Sequence, residues 1–198
     1  RGDSVMIAAL YIDTKGPYSL LPNIDLWDES RDARLYVGPY PVIAHPPCGR
    51  WGKMAPINLK RWGTKIGDDQ GCFAAALKSV RDFGGVLDHP AQTIAWKTFG
   101  LTKPSGVGWL NVSDNEWVGE VWQSDYGHKA TKKTWLYFVG KKKPKNFLMT
   151  RTKGTYQVGG GIHTGNNKLP RLPQKETHLT PTSFADYLVS ITIKKETV

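Results

Sequence analysis

At 198 residues the chain has the length of one domain, long enough to bury a core without disulfides or a structural metal. Its 39% hydrophobic and 22% charged residues exclude a disordered chain, and no apolar run approaches the roughly 20 residues of a membrane-spanning helix. The formal charge is +10, and the excess sits in one place: from Tyr126 to Lys175 there are twelve Lys or Arg and no Asp or Glu, while the rest is close to neutral.

Val5-Met6-Ile7-Ala8-Ala9-Leu10-Tyr11-Ile12 is a continuous apolar run that reads as a buried strand ending at Asp13. Lys15-Gly16-Pro17 turns the chain, and the polar segment Asp25 to Arg34 suits a short helix or a loop. Pro41-Val42-Ile43-Ala44 is a second strand, stopped by His45-Pro46-Pro47-Cys48, whose two prolines remove two ladder donors. Residues 49–67 have no clear period and read as a long loop. Asp68-Asp69 open a helix with Phe73, Ala76, Leu77 and Val80 on one face, and Gly84-Gly85 stop it. Val86-Leu87 is a short buried strand, cut off in Asp88-His89-Pro90. A helix over 91–101 would turn Trp96 and Phe99 inward. Glu120 to Gln123 and Trp135 to Val139 read as strands. Residues 154–175 form an irregular, mobile basic loop, and Thr180-Pro181 opens a last helix with Phe184, Tyr187, Leu188 and Ile191 on its apolar face.

This order of strands, loops and helices predicts a single domain, 1–198, with a mostly parallel, Rossmann-like sheet and an antiparallel strand pair on its C-terminal side. Ligands of such sheets sit beyond the carboxyl ends of the strands, which makes His45–Cys48 and Asp88–Pro90 neighbours on one rim. Two cysteines, Cys48 and Cys72, are too few for a disulfide framework, so a reducing, cytoplasmic setting is expected. The N-terminal Arg1-Gly2-Asp3-Ser4 lacks the apolar stretch of a secretory signal.

The basic stretch attracts phosphate backbones by counterion release, and its Tyr137, Phe138, Phe147 and Tyr156 offer rings for stacking. A lysine-rich solvated surface is the plainer alternative. The candidate nucleic-acid contacts are Arg50, Lys53, His128, Lys129, Lys132, Lys133, Lys141, Lys142 and Lys143. Trp51 and Trp62 would either stack on an extruded base or pack their loop down.

Ala44-His45-Pro46-Pro47-Cys48 is the most informative segment. A nucleophilic cysteine needs a rigid loop and nearby positive charge to lower its thiol pKa; the prolines supply the first, and Arg50 and Lys53 the second. A buried cysteine in a tight turn is the alternative for the tripeptide alone. Two further segments accompany it, Gly84-Gly85-Val86-Leu87-Asp88-His89-Pro90 and Val121 to Leu136 with its Tyr126-Gly127-His128-Lys129. Together they resemble cytosine-C5 DNA methyltransferases, and the last looks like a segment of phage-encoded methyltransferase-like proteins. The resemblance implies a DNA base-modifying enzyme, in a bacterial cytoplasm, whose Cys48 thiolate adds to C6 of a pyrimidine. Asp88 would hold the base, one methylene shorter than the family's glutamate, and the base would be flipped out or already single-stranded. A non-catalytic nucleic-acid-binding protein, or a transferase acting on a modified pyrimidine without S-adenosylmethionine, are the alternatives.

The resemblance also implies S-adenosylmethionine, bound at a strand, a Gly-rich turn and a helix. Nothing between Val5 and Val42 supplies a Gly-x-Gly turn. The cofactor is therefore expected to bind weakly or in another manner, with Asp13 or Asp25 as the nearest acids for its ribose. His45, Cys48, His89 and His128 match no zinc spacing, and no metal is expected. The oligomeric state is left open.

Overall fold

The computed structural model describes residues 5–53, 55–158 and 169–193. One seven-stranded sheet carries the fold, in the order β2-β1-β3-β4-β7-β6-β5. The strands are β1 (Ile7–Leu10), β2 (Ile24–Trp27), β3 (Val42–Ala44), β4 (Gly85–Pro90), β5 (Leu110–Ser113), β6 (Glu116–Trp122) and β7 (Lys133–Val139). Among the described residues five α-helices accompany them: α1 (Ala55–Trp62), α2 (Cys72–Phe83), α3 (Ile94–Thr98), α4 (Gln174–Thr177) and α5 (Thr182–Thr192).

The sheet is mixed, and the expected mostly parallel, Rossmann-like architecture is overturned. The pairings β1–β2, β1–β3 and β3–β4 are parallel but run only three or four residues. From β4 onward every pairing is antiparallel, and the β4–β7 and β6–β7 ladders register six and seven residues. Connection length explains the antiparallel run of β5, β6 and β7. A parallel return needs a crossover of a dozen or more residues. Only Asp114 and Asn115 separate β5 from β6, and the ten residues between β6 and β7 form a 3₁₀ turn and a loop instead of a crossing helix. Antiparallel pairing also lengthens β4: it continues through Asp88, His89 and Pro90 because β7 pairs with it up to Thr134.

Both faces of the sheet are covered, which is why β1 reads as an unbroken apolar run. Ala8, Leu10, Val42, Ala44 and Leu87 pack on one side with Phe73, Ala76, Leu77 and Val80 of α2. Ile7, Ala9, Ile43 and Val86 pack on the other with Phe184, Leu188 and Ile191 of α5. Asp69 starts α2 by accepting from the Phe73 and Gly71 amides and from Trp51 Nε1 (2.8, 3.0 and 2.7 Å), three residues before the first helical residue. Gly84 closes it with φ +80°, its amide on Val80 O. At Gly85, φ +116°, a Cβ would lie 2.0 Å from Val42 O, so the start of β4 against β3 admits only glycine.

Several elements differ from expectation. β2 lies where a helix or loop was read, β5 had no counterpart, and residues 49–67 contain the helix α1. Of the basic loop over 154–175, residues 159–168 lie outside the described residues. Its described flanks are tied by bridges from Tyr156 to Ala130 and from Gln157 to Arg171. No helix among the described residues is long and apolar enough to cross a membrane.

Candidate active site

A pocket of about 650 Å³ opens where β1, β3 and β4 end and β7 begins. Its floor holds Tyr18, His45, Cys48 and Asp88. Lys132, Lys133 and Thr134 form the β7 side, and Lys175 with Thr177 to Thr180 close it from above. The volume suits a ligand of nucleotide size.

Three parallel strands deliver the chemistry. Beyond β1 a tight turn, with Gly16 N–H on Asp13 O at 2.8 Å, leads into a 3₁₀ turn at Pro17–Leu20 that buries Tyr18. Beyond β3 the ladder extends one residue, His45 N–H donating to Leu10 O at 3.0 Å. The prolines then carry the chain to Cys48, whose carbonyl accepts from the amides of both Trp51 and Gly52. Asp88 projects from β4 on the face of Val86, whereas its neighbour His89 faces the opposite side and meets the Phe73 ring edge-on at 5.1 Å.

These residues form a relay. The Asp88 carboxylate contacts His45 Nδ1, and His45 Nε2 lies 2.8 Å from the Tyr18 hydroxyl. Burial would raise the Asp88 pKa, but the contact with His45 and the charge of Lys132 outweigh it and hold the carboxyl below its ordinary range. An ionised Asp88 accepts from Nδ1–H and orients the ring so that Nε2 faces the Tyr18 hydroxyl, from which it accepts when the imidazole carries its proton on Nδ1 alone. The phenol itself is pushed well up by burial and by the Asp88 charge. It is therefore a proton donor held by a base, and the base is oriented by a carboxylate.

Cys48 and Lys132 complete the set. Burial raises the Cys48 thiol, Lys132 pulls it down and Asp88 pushes it up. Lys132 is lowered by burial and supported by Asp88 and Cys48. Its Nζ donates to Leu179 O at 3.3 Å, tying the loop ahead of α5 to the start of β7.

The structure thus brings Cys48 and Asp88 into one pocket, but changes their surroundings. The cation beside the thiol is Lys132; neither Arg50 nor Lys53 lines the pocket. The thiol is raised, not lowered, because burial dominates. Asp88 is engaged by His45. The sequence puts His45 on the rim with Cys48 but gives it no proton-moving role, and Tyr18, 27 residues upstream on a turn, has no signature in it.

The basic residues scatter. Lys132 and Lys133 stand at the pocket, the latter with Nζ 4.6 Å from the centre of the Trp122 ring. Lys129 is paired with Glu176 at 2.7 Å, and His128 is buried with Nδ1 against the Ala130 backbone. Lys141, Lys142 and Lys143 are exposed but follow Val139, which pairs with Gly85 at the start of β4. They stand at the far end of the sheet, roughly 15–20 Å of strand rise from the pocket. Tyr137, Phe138 and Phe147 are buried and offer no ring for stacking. Trp51 is buried too, packed on Phe73 and Phe99, whereas Trp62 is 75% exposed.

His89 lines the pocket with His45 and Cys48 but turns its Nδ1 to Thr93 Oγ1 at 2.8 Å, and His128 lies outside the lining. Among the described residues no group of three or more His, Cys, Asp or Glu could hold a metal ion. S-adenosylmethionine does not fit in the manner the resemblance implies. β1 is followed by Tyr11 at φ +61°, a turn and the 3₁₀ turn, then β2, with no helix N-terminus to receive it. Asp25 is engaged by Trp27 Nε1 and Arg31, while Asp13 lines the pocket and accepts from Lys15 N–H. Comparison with protein-family models, curated proteins and solved structures gave no match.

Proposed function

We propose that the chain is an enzyme that modifies a pyrimidine base in DNA, with Cys48 as nucleophile and the Asp88–His45–Tyr18 relay moving the proton. The observation that carries this reading is the convergence of that relay with Cys48 and Lys132 in one pocket. Burying a carboxylate, an imidazole, a phenol and an ammonium together is costly for a fold, and such groups concentrate where chemistry is done.

In this reading Cys48 gives up its thiol proton to solvent as Sγ forms a bond to C6 of the base, and the electron pair of C5=C6 moves through C5 onto N3 of a cytosine or O4 of a uracil. Tyr18 or Lys132 stabilises that charge by hydrogen bonding. C5 is then nucleophilic. After it gains an electrophile and loses its own proton to the relay, the Sγ–C6 bond breaks and the ring is restored. Which group C5 receives is the donor's property, and no step here runs through S-adenosylmethionine.

The addition is testable without a donor, because solvent supplies the simplest electrophile. Incubating the protein with single- and double-stranded oligonucleotides in D₂O should replace C5–H by C5–D on the target cytosine, read as a one-dalton gain after digestion to nucleosides. Cys48→Ser should abolish the exchange, and His45→Asn should slow it by roughly 10²-fold or more. With the group donor present, an oligonucleotide carrying 5-fluorocytosine should form a covalent adduct with the wild type and not with Cys48→Ser. Exchange that persists in Cys48→Ser would remove the nucleophile; no exchange and no adduct on any oligonucleotide would remove the reading.

A further inference from the structure

Between Asp32 and Asp68 the sequence holds six Lys or Arg and no acidic residue, and most of that charge rides on one projecting element. Residues 51–67 leave the body of the protein and return to it. Gly67 N–H donates to Arg50 O at 3.0 Å. Trp51 is buried under this neck, with its indole so close that a Cβ on Gly67 would lie 2.8 Å from it. Within the loop, α1 buries only Ala55. Lys53, Lys60, Arg61 and Lys65 are exposed, and none has an ion-pair or side-chain hydrogen-bond partner among the described residues. Six cations elsewhere, Arg31, Arg34, Lys78, Arg81, Lys129 and Arg151, meet carboxylates. The neck is bonded to the catalytic loop itself, since Trp51 and Gly52 N–H both donate to Cys48 O.

Resting on the function proposed above, we infer that this arm is a nucleic-acid clamp. Lys53, Lys60, Arg61 and Lys65 hold the phosphates of the strand whose base enters the pocket, and the exposed Trp62 stacks on a neighbouring base. The substrate is then a polymer crossing the pocket mouth between the arm and the Lys132–Lys133 side, and not a free nucleotide. An anionic membrane is the competing partner for a cationic helix with exposed apolar side chains. Leu59 and Trp62 share a face with the buried Ala55, at i, i+4 and i+7, and Ile57 stands apart from them, so the exposed apolar face is two side chains on an eight-residue helix, small for seating in a bilayer.

The test is fluorescence anisotropy of labelled 20-mer oligonucleotides against the full chain, at several salt concentrations. The variants are Lys60→Glu/Arg61→Glu/Lys65→Glu and, separately, Trp62→Ala. The triple variant should lose affinity by at least about tenfold at low salt and flatten the salt dependence by roughly two to three phosphate contacts. Trp62→Ala should weaken single strands severalfold, within the range of one lost stacking contact. Thermal melting should be nearly unchanged in both, because the side chains are exposed. Unchanged DNA affinity in the triple variant overturns the clamp, as does loss of binding to phosphatidylglycerol vesicles without loss of DNA binding. The two readings separate cleanly. Deuterium exchange by the wild type with no arm effect sinks only the clamp. An arm effect on DNA affinity with no exchange sinks only the enzymatic reading.

Discussion

In the parallel half of the sheet, β1, β3 and β4 all end on the same rim, and each strand–loop junction delivers a side chain there: Tyr18, then His45 and Cys48, then Asp88. In the antiparallel half successive strands end on opposite rims. Only the start of β7 reaches the pocket, and it contributes Lys132, Lys133 and Thr134. The rest of that half makes surface pairs, such as Arg81 with Glu116 at 3.7 Å and Arg151 with Glu120 at 3.8 Å. Parallel order therefore gathers reactive groups that are 70 residues apart in sequence, whereas antiparallel order supplies a wall and one cation. Neither half makes the site alone, since the Lys132 charge acts on both Asp88 and Cys48.

The largest effect should come from cutting the relay in the parallel half. Asp88→Ala leaves His45 without its orienting acceptor and Lys132 without its nearest counter-charge. It should cost about 3 kcal/mol of stability, in the range for breaking a buried pair, and reduce C5 exchange by orders of magnitude. Glu116→Gln, which breaks a partly exposed pair in the antiparallel half, should cost less than about 1 kcal/mol. Urea unfolding of the two variants measures the contrast. Equal losses would mean that the relay is no more tightly built than the surface.

A middle-sized effect should appear in acid. His89, on the face of β4 opposite Asp88, is pulled down to about 4 by burial, with the Asp88 charge opposing. A histidine whose folded pKa lies below its ordinary value near 6.5 takes up its proton more readily when unfolded. Stability is therefore full above about pH 6.5 and is lost as the pH falls toward 4, by roughly 2–3 kcal/mol. His128, also lowered by burial, contributes with the same sign. Denaturant midpoints between pH 7 and 4 should fall accordingly, and most of the slope should vanish in His89→Phe. A slope unchanged in that variant would assign the acid sensitivity elsewhere.

Much of this architecture was legible because local pattern and burial agree. The spacing of Phe73, Ala76, Leu77 and Val80 marked α2, and that of Phe184, Tyr187, Leu188 and Ile191 marked α5. β1 and β3 announced themselves as apolar runs because both their faces are covered. β2 did not, since it is a half-buried edge strand of four residues with Asp25 in it. Strand direction was illegible for a different reason. Nothing in a strand's own residues says which way its partner runs, and the short β5–β6–β7 connections decide it. At the site, the strand-end rule brought His45–Cys48 to Asp88–Pro90. It could not say that Asp88 turns to His45, because that depends on which face of β4 each residue takes. Lys132 read as one of many surface lysines, and only the fold distinguishes it by burial.

The smallest expected effect lies on the thiol itself and tests whether the two halves communicate. Cys48 is raised by burial, drawn down by Lys132 from the antiparallel half and pushed up by Asp88 from the parallel half. The free protein should therefore react slowly with iodoacetamide at neutral pH, with a rate that climbs as the pH passes above the ordinary thiol range. Lys132→Met removes the one favourable charge and should move the midpoint of that climb upward. Asp88→Asn removes the opposing charge and should move it downward. Cys72 supplies the internal reference: burial raises it too, but its other influences are Asp69, Arg34 and Asp32, so neither substitution should shift it. Alkylation followed peptide by peptide in a mass spectrometer reads both cysteines in one sample. Opposite shifts at Cys48 with Cys72 fixed are the expected result. Shifts of the same sign would mean that the substitutions act by opening the pocket to water, and the electrostatic link from β7 across to the Cys48 loop would then fall.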